Sequence, residues 1–172
     1  IKREMLVGRV HERDVTIPVD GKEVAFKEYI YQSRLKDHPQ EFMALVHGKV
    51  DTRPTLCRVH QGHLLLDKFG LPGARGQVSV EESLSLITRE GAGVLLYLPP
   101  RETMLEEVEA GEVQMAKSGG NPSAQQVLRK FGMGAQVLLH LGLKKMRLIT
   151  RSPSKIVGLE GFNLQIVEYV SP

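Results

Sequence analysis

The sequence predicts an α+β fold: antiparallel N-terminal strands followed by mixed β-α units around one core. Three observations carry this. The first third is rich in β-branched and aromatic residues with partial period-two alternation. From Val78 onward apolar residues recur at helical spacing. Between these helical stretches lie short, continuous apolar runs, an order that favours a sheet with helical crossovers.

Element by element, Met5 to Val10, Val15-Thr16-Ile17 and Val24 to Tyr31 read as strands, with Asp20-Gly21 as a hairpin turn. Phe42 to Val46 and Thr55 to His60 are further strands, separated by His47-Gly48-Lys49 and the break at Pro54. The rest of the stretch to Gly76 reads as a turn and then a Gly- and Arg-bearing segment. Ser79, with Glu82 three residues on, forms a capping box for a helix carrying Val80, Leu84, Leu86 and Ile87 and closed by Gly91. Gly93 to Leu98 is a strand of the fully buried kind, stopped by Pro99-Pro100. Glu102 to Lys117 is a weakly amphipathic helix, and Ser118 to Pro122 is a flexible loop. Ser123 to Leu141 is the strongest helix, interrupted at Gly132 and Gly134. A strand at Met146 to Thr150, a short helix at Pro153 to Leu159 and a strand at Leu164 to Val170 complete the chain.

The 172 residues suit a single domain spanning 1–172. A net charge of +3 argues for neither a nucleic-acid nor a membrane partner. The basic run Lys144, Lys145, Arg147, Arg151 and Lys155 has no interleaved aromatics and reads as a solvated rim. The lone Cys57 excludes an internal disulfide framework and suits a reducing compartment. No apolar run approaches the roughly 18 residues of a membrane span, and no basic-then-apolar signal segment opens the chain. The expected location is cytoplasmic. Opening on Ile1, the chain reads as part of a longer protein.

Two places invite chemistry. Cys57, His60, His63 and Asp67 are zinc-type side chains at short spacing. Strand parity, however, sets Cys57 and His63 on one face and His60 on the other, so ordinary strand residues are the stronger reading. Thr150 to Lys155 follows an apolar strand and opens a helix, where outward N–H groups attract anions. A phosphate site using Thr150 and Lys155 and a plain helix cap are evenly matched there. The acidic run Glu106, Glu107, Glu109 and Glu112 reads as a solvated helical face.

In order along the chain, Arg58-Val59-His60, Glu90 to Tyr97, Gly132 to Leu138 and Arg147 to Phe162 resemble GTP cyclohydrolase II, from about Tyr31 to the C-terminus. The resemblance implies a fold of that family, a homodimer, and a place as the C-terminal half of a bifunctional riboflavin-pathway protein. Its N-terminal half would be a 3,4-dihydroxy-2-butanone 4-phosphate synthase. Active members open the imidazole ring of GTP, releasing formate and pyrophosphate, with a zinc held by three cysteines and with magnesium.

This chain departs from that pattern where the chemistry lies. The first cysteine of the family follows Arg-x-His-Ser-Glu; here the position is His63, after Gln61 and Gly62. The other two fall at Ala74 and Gly76, which offer no ligand atom. The guanine-contacting Arg-Gln-Glu-Gly-Arg segment is replaced by Leu98-Pro99-Pro100-Arg101-Glu102-Thr103. Val127 stands in place of an Asp while Arg129 matches an Arg, making Arg129 the one candidate catalytic remnant. Arg58, His60, Arg129, Thr150 and Lys155 match positions near the triphosphate and ribose end. The expectation is a domain without zinc or cyclohydrolase activity that acts as scaffold or regulator of the synthase. The alternatives are a working cyclohydrolase and a nucleotide- or phosphate-sensing module that takes GTP or a phosphate ligand.

Overall fold

A computed structural model describes residues 5–34, 40–71, 77–116, 124–151 and 163–172, with backbone alone at 111–116 and 124–131. The N-terminal part is a long hairpin of β1 (Val7–Val19) and β2 (Lys22–Ser33). Its two-residue turn places Asp20 at φ 51° and Gly21 at φ 77°, the positive-φ pair that matches the twist of the flanking strands. The two runs expected as separate strands before this turn are one strand. His11 to Asp14 are polar and exposed, yet their backbone pairs with β2 regardless, and Arg13 meets Glu28 at 2.9 Å.

β3 (Glu41–His47) continues the antiparallel half beside β2. It is followed by β4 (Thr55–Gln61), α1 (Leu64–Phe69), α2 (Val80–Glu90) and β5 (Gly93–Leu98). Next come α3 (Met104–Ala116), α4 (Ala124–His140), β6 (Lys145–Ile149) and β7 (Gln165–Val170). The sheet order is β1-β2-β3-β5-β4-β6-β7. β5 is antiparallel to β3, whereas β5, β4, β6 and β7 are mutually parallel. The carboxyl ends of the four parallel strands therefore share one edge, where ligands bind in open α/β sheets.

The sheet divides the core in two, where the sequence reading placed a single one. On one face Cys57, Leu96 and Leu148 pack with Ala135, Val137 and Leu138 of α4. On the other, Leu56, Leu95 and Ile149 pack with Leu84 and Ile87 of α2. The glycines of α4 do not interrupt it. A Cβ on Gly134 would lie 3.2 Å from the Leu96 side chain, so the missing side chain lets helix and sheet approach. α1 was expected only as a turn; six residues are too few to show a helical period, and Gly70 ends it at φ 66°. The loop expected at Ser118–Pro122 and the helix at Pro153–Leu159 lie outside the described residues. No helix among the described residues is long and apolar enough to cross a membrane.

Candidate functional site

The carboxyl end of β4 presents Arg58 and His60 on the α2 face of the sheet, and Cys57 on the α4 face. Arg58 is buried. Its Nη1 donates to the Ile149 carbonyl at 3.2 Å and its Nη2 to the Val78 carbonyl at 3.1 Å, tying β4 to β6 and to the entry of α2. Burial pulls its pKa down to about 10. Its Nε meets no partner among the described residues.

His60 is fully buried, and its ring stacks on Tyr97 with centroids 5.6 Å apart. Its Nε2 lies 3.1 and 3.2 Å from the two Asp67 oxygens, so beside a carboxylate that nitrogen carries the proton. Desolvation lowers the His60 pKa, with Asp67 pulling the other way. Its second nitrogen, Nδ1, has no partner among the described residues. Gly62 makes this stack possible: a Cβ there would lie 2.4 Å from the Tyr97 hydroxyl oxygen and 2.9 Å from the Leu98 carbonyl.

β4 ends at Gln61, so the strand parity that groups His63 with Cys57 does not extend to it. His63 is instead the N-cap residue of α1, and its backbone N–H donates to Asp67 Oδ2 at 2.9 Å. One carboxylate thus serves His60, His63 and, at 3.4 Å, the Tyr97 hydroxyl. The His63 ring reaches Glu102 at 3.6 Å. The first amides of α1 are taken by a residue of another helix: Glu107 of α3 accepts from Leu65 N at 3.0 Å and Leu66 N at 3.0 Å. Glu107 is 6% exposed, which corrects the reading of its acidic run as uniformly solvated; its neighbours Glu106 and Glu109 are exposed as expected. No sequence signal singles it out, because its partners are backbone groups more than forty residues away.

Further along the same edge, Gln77 Nε2 donates to the Gln61 carbonyl at 3.1 Å, and Gln61 Nε2 to Pro99 O at 3.0 Å. The Oε1 atoms of both glutamines lack partners among the described residues. Thr150 is buried just beyond β6, and its amide donates to Val170 O at 2.9 Å. The adjacent Arg151 donates to both oxygens of Glu82, at 2.8 and 3.2 Å. That carboxylate is held down to about 2, first by Arg151 and then by the Ser79 amide. Pro99, Pro100 and Arg101 line an open cavity of about 440 Å³ with Gln40, Glu41 and Phe42.

The structure therefore brings Arg58, His60 and Thr150 to one sheet edge. Arg129 lies on the backbone of α4 without a described side chain, and Lys155, Ala74 and Gly76 lie outside the described residues. Residues the sequence reading missed are Glu107 and Tyr97; Asp67 was considered only as a metal ligand. A zinc site on the expected pattern does not fit these residues. Ala74 and Gly76 carry no ligand atom. Cys57 is sealed in the core on the opposite face, its thiol pushed up to about 12 by burial. Among the described residues no three His, Cys, Asp or Glu side chains are grouped to hold a metal.

A mixed sheet with parallel strands ending in a loop-and-helix edge defines the class of domain. The sequence pattern of GTP cyclohydrolase II matches residues 9–171, and the chain belongs to that family. It is 36% identical, over 97% of its length, to the riboflavin biosynthesis protein RibBA of Bacillus cereus, and 34% identical, over 99%, to that of Aquifex aeolicus. It spans 43% of the length of each of these curated relatives. Among solved structures it resembles RibBX of A. baumannii, described as a two-domain 3,4-dihydroxy-2-butanone 4-phosphate synthase. The TM-score is 0.60 at 26% identity, covering 98% of this chain and 41% of that one.

Proposed function

We propose that this chain is a GTP cyclohydrolase II-fold domain that lacks cyclohydrolase activity. In this reading it follows a 3,4-dihydroxy-2-butanone 4-phosphate synthase domain in a longer cytoplasmic protein of riboflavin biosynthesis, and serves that domain as scaffold or regulator. One observation carries the proposal. Where the family's reaction needs a metal-held water, the groups at the end of β4 are committed to each other: Asp67 to His60 and the His63 amide, and Glu107 to the start of α1. Without a metal, water keeps a pKa near 15.7, far from usable as hydroxide at neutral pH. The match to a two-domain protein described by its synthase activity supports the same reading, as does the coverage of 41–43% of the relatives' lengths.

The test uses the synthase-bearing protein. Formate is assayed from GTP with zinc and Mg²⁺ supplied, and the synthase rate and thermal midpoint are compared with and without residues 1–172. The expected result is no formate from GTP and a changed synthase rate or stability on truncation. Formate release at a rate typical of enzymes, or a synthase indifferent to the truncation, overturns the proposal.

A second reading has an observation of its own. Arg58 Nε and His60 Nδ1 are buried polar atoms without partners among the described residues, and such groups are normally satisfied by water or ligand. A phosphate-bearing ligand on Arg58, Thr150, Lys155 and Arg129 would make the domain a sensor. Calorimetric titration with GTP and Mg²⁺ tests it; heat that disappears in Thr150→Ala, Lys155→Ala supports a phosphate site.

A further inference from the structure

Nine large apolar side chains are exposed among the described residues, and six of them lie on or beside two touching helices. Leu64 and Phe69 lie on α1 and Leu71 just after it; Met104, Leu105 and Val108 lie on α3. Phe69 and Leu105 are each 66% exposed and Met104 is 58% exposed. Together the six present an apolar area on the order of 500 Å², of a size that marks an interaction site. Glu107, bonded to the α1 amides, ties the two helices together beneath it.

The sheet topology sets this face near the beginning of β1. Val7 pairs with Ser33, Gln32 with Glu41, and Met43 with Tyr97. β1 therefore begins level with the carboxyl end of β5, the strand that leads into α3. Three strand spacings separate β1 from β5, about 14 Å. If a synthase domain precedes this one, as proposed above, it joins the chain at this end of the sheet, beside the apolar face.

Area and charge narrow the occupant. A face of this size buries about 1,000 Å² with its partner, the lower bound for two free proteins but ordinary for two domains of one chain. A tether supplies what the area lacks, because linked partners meet at an effective concentration of about millimolar. Exposed Glu102, Glu106 and Glu109 surround the α3 side. That acidic rim disfavours an anionic lipid surface, which selects Lys and Arg beside an apolar helix face. It complements basic residues around an apolar protein surface.

We infer that the α1–α3 face docks on the preceding synthase domain of the same polypeptide, against an apolar surface rimmed by Lys or Arg. The inference rests on the reading that such a domain precedes this one, and it names the surface through which that domain would be held.

The test is the rate at which peroxide oxidises Met104 in the full-length protein, followed by peptide mass spectrometry. Met104 is expected to react several times more slowly than in the same protein unfolded in urea. Phe69→Ser, Leu105→Ser is expected to remove most of that protection, as loss of central anchors does. Both side chains face solvent within this domain, so its own fold should be unaffected. Glu106→Lys, Glu109→Lys is expected to weaken the docking equilibrium about threefold, a rim-charge effect. A Met104 that reacts as fast in the native protein as in urea overturns the inference, as does protection that both sets of substitutions leave intact. Protection that fades on roughly 100-fold dilution through the micromolar range also overturns it, because a tethered contact does not depend on concentration. Truncation of residues 1–172 reads the scaffold or regulatory role, whereas Met104 reads the contact, so either can fail without the other.

Discussion

Two helices begin near the edge where the parallel strands end, and they are started in opposite ways. α2 caps itself: Ser79 Oγ accepts from Glu82 N at 3.0 Å while Glu82 accepts from Ser79 N at 3.0 Å. α1 has no side-chain cap from its own N-cap residue. Its amides are satisfied by Glu107 from α3, and its first turn is held to β4 by Asp67. The start of α2 is thus a local device that any tertiary setting would preserve. The start of α1 takes its cap from a distant part of the chain, through Glu107 of α3. In the proposed reading, the segment that a metal would organise in an active relative is organised here by two carboxylates.

Breaking the non-local cap should cost most. Glu107→Ala removes charge-assisted hydrogen bonds and strands two amides, so a loss of about 2–3 kcal/mol is expected, read from urea unfolding. Hydrogen exchange should speed up at Leu65 and Leu66 and not in α2. Gly62→Ala comes next, at roughly 2 kcal/mol. Tyr97 must turn out of its stack on His60, and the Leu98 carbonyl, being backbone, cannot retreat from the new Cβ. A crystal structure of this variant should show the stack broken.

Removing the local cap is milder: Ser79→Ala is expected to cost about 1 kcal/mol, with exchange faster only in the first turn of α2. The smallest effect is electrostatic. Glu82 has its pKa lowered from 4.5 to about 2 in the folded state. Its contribution to stability is therefore complete above about pH 4.5 and is lost as pH falls towards 2. Glu82→Gln should flatten the acid limb of a stability-against-pH curve in that window and lower stability above it by an amount that does not change with pH. An unchanged limb would mean that the Arg151 contact is not kept in solution.

The same contrast explains what could be read from sequence. The Asp20-Gly21 turn, the Ser79/Glu82 box and the Gly93–Leu98 strand are governed by neighbours in the chain, and all three are found where the sequence places them. α1 was hidden because a run of three leucines over six residues has no period to measure. Gly134 read as a helix break because its role is set by Leu96, on a strand distant in sequence. The position of β5 between β3 and β4 follows from crossovers that local pattern does not specify. At the site, residue type and spacing brought His60 and Thr150 to notice, and the resemblance added Arg58. What they touch was not legible: carbonyls of Ile149 and Val78, and the Asp67 carboxylate beyond the strand's end. Glu107 looked like its acidic neighbours, and only the packing of α3 on α1 separates it from them.

The most direct test of the central claim is the zinc content of the protein purified without chelators and measured by plasma mass spectrometry beside His63→Ala. The account predicts zinc far below one ion per chain in both proteins, because two of the three family ligand positions are Ala74 and Gly76. One zinc per chain in the wild type, lost in His63→Ala, would contradict it and show that the loop after β4 still holds a metal.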